Sequence, residues 1–275
     1  MTYAILMVHL ELGRSNAGLL RIAGELAERM HADVIGIAGC QNMVTTYSDA
    51  YVPGDVIVAV HDEEKQEIKE AEEEFRIALK GHAASVEWRS TVMSASLSGY
   101  IASEARSADL VITSVNSGDL LNASRLINTG ELLMQIGRPV LIVPGATPAP
   151  NLDHLVVAWK DTREARRAAS DALPLLKKAT DVTVVEIAAE DDMATAHKRV
   201  ADVGEWLKRH GVSAECVARH ATGDEATQLH AIASKHGAGI IVAGAYGHSR
   251  LREFVFGGVT RDLLRSTGCC SLLSH

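Results

Sequence analysis

Short runs of apolar, largely β-branched residues alternate along the chain with longer segments of helical periodicity. In the second half the apolar runs lie near 154–159, 181–187, 214–218, 239–244 and 270–273, and the helical segments near 163–178, 194–210, 224–237 and 259–267. The run 240–243 is apolar at every position, which is typical of a parallel strand covered on both faces. The alternation therefore predicts right-handed βαβ crossovers and an α/β fold built on doubly wound parallel sheets.

One unit occurs twice in the sequence. Arg138–Pro144 ends the first half as Cys269–His275 ends the second, and Asp33–Ile37 matches Asp181–Val185. These two matches lie at different sequence separations, so the first copy contains an insertion. We place the insertion in Gly39–Asp62 and interpret it as a loop, because it contains a Pro-Gly pair and several polar residues.

A linker between the copies is predicted at residues 145–151, which read Gly-Ala-Thr-Pro-Ala-Pro-Asn near the midpoint of the chain. The expected domains are residues 1–144 and 152–275. A length of 275 residues allows two small domains. The composition is 47% hydrophobic but only 4% aromatic, which predicts cores of aliphatic residues.

Charge and hydropathy exclude several classes of partner. A net charge of −8 argues against nucleic acid, because phosphate backbones require clustered Lys and Arg. No apolar stretch has the roughly 18 residues of a membrane helix, so we expect no membrane partner. The N-terminus lacks a basic segment and is interpreted as a first strand, not a signal peptide. Four cysteines without a CxxC motif favour a reducing cytoplasm.

Other candidate chemistry is weak. The acidic run Asp62–Glu74 keeps Ile68, Ala71 and Phe75 at helical spacing, which is typical of a surface helix with one solvated face. The scattered histidines form no metal-binding array, so solvated histidines are favoured over a zinc site. Ser249 and Ser266 have no partner His and Asp that the sequence identifies, and we predict no catalytic residues.

A glycine-rich stretch, Gly244–Thr260, follows the apolar run 239–243 and leads into a helical segment. Glycine lets the backbone approach a ligand closely, and a helix N-terminus presents free N–H groups and a partial positive charge. A strand, glycine loop and helix together predict an anion site. The alternative is a tight turn whose glycines serve only the turn, and local physics leaves both open.

The spacing Gly244-x2-Gly247-x9-Gly257 resembles the nucleotide-binding signature of the universal stress protein family, and the whole stretch resembles its tandem, two-domain bacterial branch. The resemblance covers the chain but is sharp only in the second half. Single-domain members usually carry Ser or Thr directly after the last glycine. Here that position is Gly258 and the nearest hydroxyl is Thr260, which leaves the backbone contacts available.

This resemblance implies two tandem Rossmann-like domains of the adenine nucleotide alpha hydrolase-like type, each with five parallel strands, packed as a pseudo-dimer. It also implies a site for ATP or ADP, with or without Mg²⁺, in the second half. The nucleotide-binding residues that it implies are Ala158, Trp159, Lys160, Asp161, Ile187, Gly244, Gly247, His248, Ser249, Gly257, Gly258, Val259 and Thr260.

Ligands of doubly wound sheets lie at the carboxyl ends of the strands, at the topological switch point. The resemblance places that crevice between the first and fourth strands of the second half. Lys160 would attract phosphate as a point charge. Asp161 would either accept a hydrogen bond from a ribose hydroxyl or cap the next helix, and the sequence leaves both open. Ile187 and its neighbours would offer backbone groups to adenine.

The first half does not keep the signature. Leu126, Ile127 and Thr129 occupy the positions that match its end, and large side chains there would block close approach of phosphates. The end of the first strand, His9–Ser15, is also atypical. We expect this half to be structural or to select another ligand.

The resemblance favours a cytoplasmic stress-response protein that acts as a regulatory or protective nucleotide-dependent switch, with a regulatory protein partner and a homodimer of tandem units as further expectations. A weak ATPase or other crevice hydrolase is the first alternative, although no Walker lysine and no carboxylate pair for Mg²⁺ is evident. A nucleotide-free scaffold protein is the second.

Overall fold

The computed structural model of the chain describes residues 2–41, 54–93, 95–115, 124–145, 151–246, 258–264 and 268–275, with the side chains at 258, 260 and 261 excepted. The chain divides into two compact units. The first unit comprises Tyr3–Ile136, and the second unit comprises Met1–Thr2 and Gly137–His275.

Strands and helices alternate through both units, as the hydropathy pattern predicts. The first unit contains β1 Ile5–His9, α1 Ala17–Met30, β2 Asp33–Gln41, α2 Gly54–Ala78, β3 Val86–Met93, α3 Leu97–Glu104, β4 Leu110–Ser114 and α4 Thr129–Ile136. The second unit contains β5 Val140–Val143, β6 His154–Ala158, α5 Arg163–Asp171, α6 Leu173–Leu176, β7 Asp181–Ala188, α7 Met193–Arg209, β8 Glu215–His220, α8 Glu225–Lys235, β9 Ile240–Gly244, α9 Gly258–Leu263 and β10 Cys270–Ser274.

The described strands of the first unit form a parallel sheet in the order β3-β2-β1-β4. Leu6, Met7 and Val8 of the central strand β1 are fully buried. Such complete burial is expected for a parallel strand covered by helices on both faces. Because β1 lies between β2 and β4, the strand order reverses direction beside β1.

The second unit repeats this order and extends it, as β5-β10-β9-β6-β7-β8. The strands from β10 to β8 are parallel, and β9 carries the fully buried run Ile240–Val242. The predicted α/β architecture of doubly wound parallel sheets is therefore confirmed.

One strand differs from expectation. Five parallel strands were expected in each half, but β5, from the first repeat, belongs to the second unit and runs antiparallel to β10, with Ile142 opposite Ser271. All four residues of β5 are buried, so this strand suits an interior position. The boundary predicted at 145–151 and the packing of the halves as a pseudo-dimer stay predictions.

The predicted insertion loop is partly wrong. Gly39–Gln41 complete β2, and residues 54–62 form the first turns of α2; residues 42–53 lie outside the described part. Asp55 lies in the first turn of α2, where a carboxylate stabilises the positive end of the helix dipole. This favourable charge counters part of the poor helix propensity of the β-branched residues that follow.

The acidic segment within α2 is a surface helix, as predicted, with Ala71 and Phe75 buried. Glu64 departs from the prediction, because its side chain is buried and not solvated. It lies beside Cys40 at the end of β2, where burial and the Glu64 charge raise the pKa of the thiol to about 12. Cys40 is therefore protonated at neutral pH and a poor nucleophile.

Candidate functional site

Two neighbouring strands define the crevice of the second unit. β6 lies between β9 and β7, which is the switch point of this sheet, and Ala158 pairs with Ala243 at the carboxyl ends of β6 and β9. Ligands of doubly wound sheets occupy this position. The first and fourth strands of the second half are thus neighbours, as predicted. Alanine, the smallest chiral residue, occupies both of the paired positions.

The turn after β6 carries the predicted residues Trp159 and Lys160. Trp159 N–H donates to the Val185 carbonyl at 2.7 Å, which extends the β6–β7 pairing by one residue. Its indole Nε1 is buried and has no hydrogen-bond partner among the described residues. A buried N–H without an acceptor is costly, so such a group calls for an acceptor beyond the described residues.

The charged groups of this turn are paired. Lys160 Nζ lies 3.5 Å from Glu225 Oε2 at the start of α8, and Asp161 Oδ1 accepts a 2.6 Å hydrogen bond from Arg166. All four of these side chains are substantially exposed. Sequence reasoning missed Glu225, since it lies far from Lys160 along the chain and only the fold brings them together.

Of the two interpretations of Asp161, the capping one is wrong. Thr162 is the N-cap of α5, with an extended backbone and its hydroxyl accepting from Ala165 N–H at 3.2 Å. The N-cap side chain reaches the third helical residue, and Asp161 lies one position too early for that geometry. Contact between Asp161 and a ribose stays a prediction.

Gly244 ends β9 where the N-terminus of α5 packs directly on the strand. A Cβ atom at Gly244 would lie 2.5 Å from Ala165 N and 2.6 Å from Glu164 C, distances that real Cβ atoms do not show. The glycine is therefore required by the contact between helix and strand. This requirement accounts for Gly244 whether or not a phosphate approaches the loop.

Glu164 is a further buried residue at this contact that sequence reasoning missed. Its side chain is buried and hydrogen-bonded to Arg163. Burial raises the pKa of the Glu164 carboxyl, but the hydrogen bonds from Arg163 and from its own backbone N–H, together with the charge of Arg163, outweigh that effect, so the pKa lies below its usual range. Glu164 is thus an ionised group next to the end of β9.

The residues that follow β9 are held by the end of β10. Ala245 N–H donates to the Ser274 carbonyl at 2.8 Å, and Nδ1 of His275 lies 3.2 Å from the Ala245 carbonyl. Tyr246 then adopts a left-handed backbone (φ 63°) and contacts the His275 ring edge-on, with centroids 6.1 Å apart. Burial raises the pKa of Tyr246 to about 12. The entry to the glycine stretch is therefore fixed.

The remaining predicted site residues are described only in part. Ile187 is half-buried in β7, opposite Arg219 of β8. The helix α9 begins at Gly258, and its first three residues are the predicted Gly258, Val259 and Thr260. Four predicted residues lie outside the described part of the chain: Gly247, His248, Ser249 and Gly257. The predicted site as a set stays a prediction.

The first unit has a different arrangement at the same register. Pairing starts at Ile5 opposite Asp33 in β1–β2 and at His154 opposite Asp181 in β6–β7, so His9 of β1 stands where β6 has Ala158. By the same reasoning Thr113 stands where β9 has Ala243. His9 Nδ1 and Thr113 Oγ1 share a hydrogen bond of 3.0 Å, and both side chains are fully buried.

The next positions also differ in chemistry. Glu11 stands in the register position of Lys160, and Ser114 in that of Gly244. Ser114 Oγ donates to Glu11 Oε1 at 2.8 Å, and Glu11 N–H donates to Asn16 Oδ1 at 2.9 Å. Hydrogen-bonded side chains thus fill this end of β1 and β4. The charged residue here is the anion Glu11, where the second unit has the cation Lys160.

No protein-family model matches the chain, and no curated protein matches its sequence. Solved structures do match its fold. A universal stress protein from Archaeoglobus fulgidus DSM 4304 is 13% identical, with a TM-score of 0.75 over 98% of this chain and 95% of that one. A functionally unknown protein from Pseudomonas aeruginosa PAO1 is 17% identical, with a TM-score of 0.61 over 99% of this chain and 92% of that one.

These matches span essentially the whole chain and show that its fold is the one found in a solved universal stress protein. The resemblance inferred from the glycine spacing is confirmed at the level of the fold. Within the described residues, no helix is long and apolar enough to cross a membrane. The same residues contain no group of three or more His, Cys, Asp or Glu that could hold a metal ion.

Proposed function

We propose that the protein is a cytoplasmic stress-response regulator that binds ATP or ADP in the crevice of its second unit and acts as a nucleotide-dependent switch. The fold likeness to a universal stress protein supports this class. The glycine spacing from Gly244 to Gly257, followed by the helix α9 from Gly258, supports a phosphate-binding loop.

The contrast between the two crevices carries the proposal. Ala158 and Ala243 leave the carboxyl ends of β6 and β9 without bulky side chains, whereas His9 and Thr113 occupy the matching ends of β1 and β4 and bond to each other. A ligand can approach the backbone only where side chains are small. One nucleotide per chain, in the second unit, is the expected stoichiometry.

Charge and hydrogen-bonding capacity agree with that choice. Lys160 would present an ammonium group to phosphate oxygens, where the first unit has the carboxylate of Glu11. The unsatisfied indole N–H of Trp159 offers a donor to an oxygen or nitrogen of the ligand. A site with these groups selects an anionic ligand that also carries hydrogen-bond acceptors, which is the chemistry of a nucleotide.

The residues present fit a nucleotide better than a tightly held Mg²⁺. The carboxylates of Asp161 and Glu225 are each paired with a cation of the protein, and the described residues contain no group of three or more His, Cys, Asp or Glu that could hold a metal ion. Any Mg²⁺ would arrive with the phosphates and keep most of its water ligands. When bound, it would neutralise phosphate charge.

Two measurements on the full chain test the proposal. Mass spectrometry of small molecules released from the purified protein should find ATP or ADP, and calorimetry should give one site of micromolar affinity, about −8 kcal/mol. The Gly257→Val variant should lose binding while its circular dichroism is unchanged, and Gly268→Val should retain binding. If no nucleotide is released from the purified protein and no added nucleotide binds, the scaffold alternative is favoured.

A further inference from the structure

The pairing of Lys160 carries an inference that rests on the proposed nucleotide site and extends it to regulation. Each cation from Lys160 to Arg166 has an anionic partner within the chain: Lys160 has Glu225, Arg166 has Asp161 and Arg163 has Glu164. A phosphate group that binds Lys160 therefore competes with a carboxylate of the protein.

Glu225 differs from the other two anionic partners because it comes from a distant part of the chain. Asp161 and Glu164 lie within five residues of the arginines that they contact, so their pairs are local in sequence. Glu225 belongs to α8, which follows β8 and lies 65 residues further along the chain. The Lys160–Glu225 pair is thus a contact between two separate elements at the mouth of the crevice.

Glu225 is the first residue of α8, directly after the N-cap residue of the helix. Asp224 caps the helix and accepts hydrogen bonds from the Thr227 N–H at 2.7 Å and the Thr227 hydroxyl at 2.8 Å. Along its length α8 packs against α9, the helix that follows the glycine stretch, and against β6. A change at Glu225 therefore acts on a helix that contacts both sides of the proposed site.

We propose that Glu225 is a built-in competitor for the phosphate of the ligand: phosphate binding takes Lys160 away from Glu225 and releases the N-terminal end of α8. Lys160 and Glu225 are 48% and 42% exposed, so the pair is weak and is readily exchanged for a doubly charged phosphate. Glu225 would then lower the preference for nucleotides over nucleosides, and α8 would report occupancy to a partner protein.

Calorimetry with ATP and with adenosine tests the competition. Glu225→Gln should tighten ATP binding about two- to fivefold, the range of an exposed ion pair, and leave adenosine binding unchanged. The gain should vanish when Glu225→Gln is combined with Lys160→Ala. Glu205→Gln on α7 is the matched control, because it removes the same charge at a site paired with Lys208 and should not change ATP affinity.

Hydrogen exchange on the native protein tests the release of α8 without any substitution. ATP, but not adenosine, should increase exchange of the amides in the first turn of α8. Equal ATP affinity of the native and Glu225→Gln proteins, or ATP-induced protection of that turn, would overturn this inference while leaving the proposed nucleotide site intact. Failure of the native protein to bind ATP would overturn the proposed function and this inference with it.

Discussion

His9 and Thr113 share a buried hydrogen bond of 3.0 Å at the strand ends where the second unit has only alanine. Because the imidazole is fully buried, burial lowers the pKa of His9 to about 4 from its ordinary value of 6.5. The neutral ring therefore belongs to the folded state, and protonation of His9 opposes folding.

The first prediction concerns acid stability. Between pH 6.5 and pH 4 the unfolded chain binds a proton at His9 that the folded chain does not, so stability rises with pH across this window and is lost as the pH falls through it. The contribution is about 3 kcal/mol in full. Urea unfolding at pH 7 and pH 4.5 should show a shallower pH dependence in His9→Asn than in the native protein.

Thr113→Val is the control for that experiment. It removes the hydrogen bond and leaves Nδ1 of His9 without that partner, which should cost about 1–3 kcal/mol at every pH, but the imidazole stays buried. The slope against pH should therefore match the native slope. If the unfolding free energy of His9→Asn depends on pH as steeply as that of the native protein, other groups cause the acid sensitivity.

The second prediction concerns Gly244. An alanine at this position would place its Cβ against the backbone of α5, so Gly244→Ala should destabilise the protein by about 1–3 kcal/mol. Gly268→Ala is matched to it, because no atom of the described residues lies within 4 Å of the added atom, and should change stability by less than about 0.5 kcal/mol. Unfolding by urea measures both, and similar values for the two variants would contradict the close packing of α5 on β9.

The third prediction separates two neighbours in the turn after β6. Thr162→Ala removes the N-cap of α5 and should cost about 1 kcal/mol of unfolding free energy. Asp161→Ala removes only an exposed ion pair with Arg166 and should cost a few tenths of a kcal/mol. If Asp161→Ala proves the more harmful in the absence of ligand, the assignment of the cap is wrong.

The fourth prediction is slow turnover. The proposed site has a glycine stretch and Lys160, but the sequence shows no Walker lysine, and the described residues contain no group of three or more His, Cys, Asp or Glu that could hold a metal ion. Positioning and charge stabilisation supply most of the catalysis in phosphoryl transfer, so ATP hydrolysis should stay well below about one turnover per second. A phosphate-release assay decides this, and faster turnover that disappears in Gly257→Val would favour the ATPase alternative.

The sequence predicted strands and helices well where local pattern and tertiary environment agree. The buried run in β9 and the helical segment that became α7 both lie within a few residues of their predicted bounds. The first turns of α2 were not foreseen, because a Pro-Gly pair and polar neighbours indicated a loop where the helix had already begun.

The site was harder to predict, since its pairs are distant in sequence. Neither the Lys160–Glu225 contact nor that of Gly244 with α5 leaves a local pattern, because each depends on how one element packs against another. The His9–Thr113 pair is of the same kind. The family resemblance placed the proposed crevice between the first and fourth strands, but only the register of the strands shows how the two halves differ at these strand ends.

The antiparallel pairing of β5 with β10 affects how the second half can be studied alone. A fragment that begins at residue 152 would lack β5 and expose the unpaired backbone N–H and C=O groups of an apolar edge strand. Such edges recruit other chains and promote aggregation. A fragment that begins at Gly137 retains the protecting strand, and is the one to use for measuring nucleotide binding by this half in isolation.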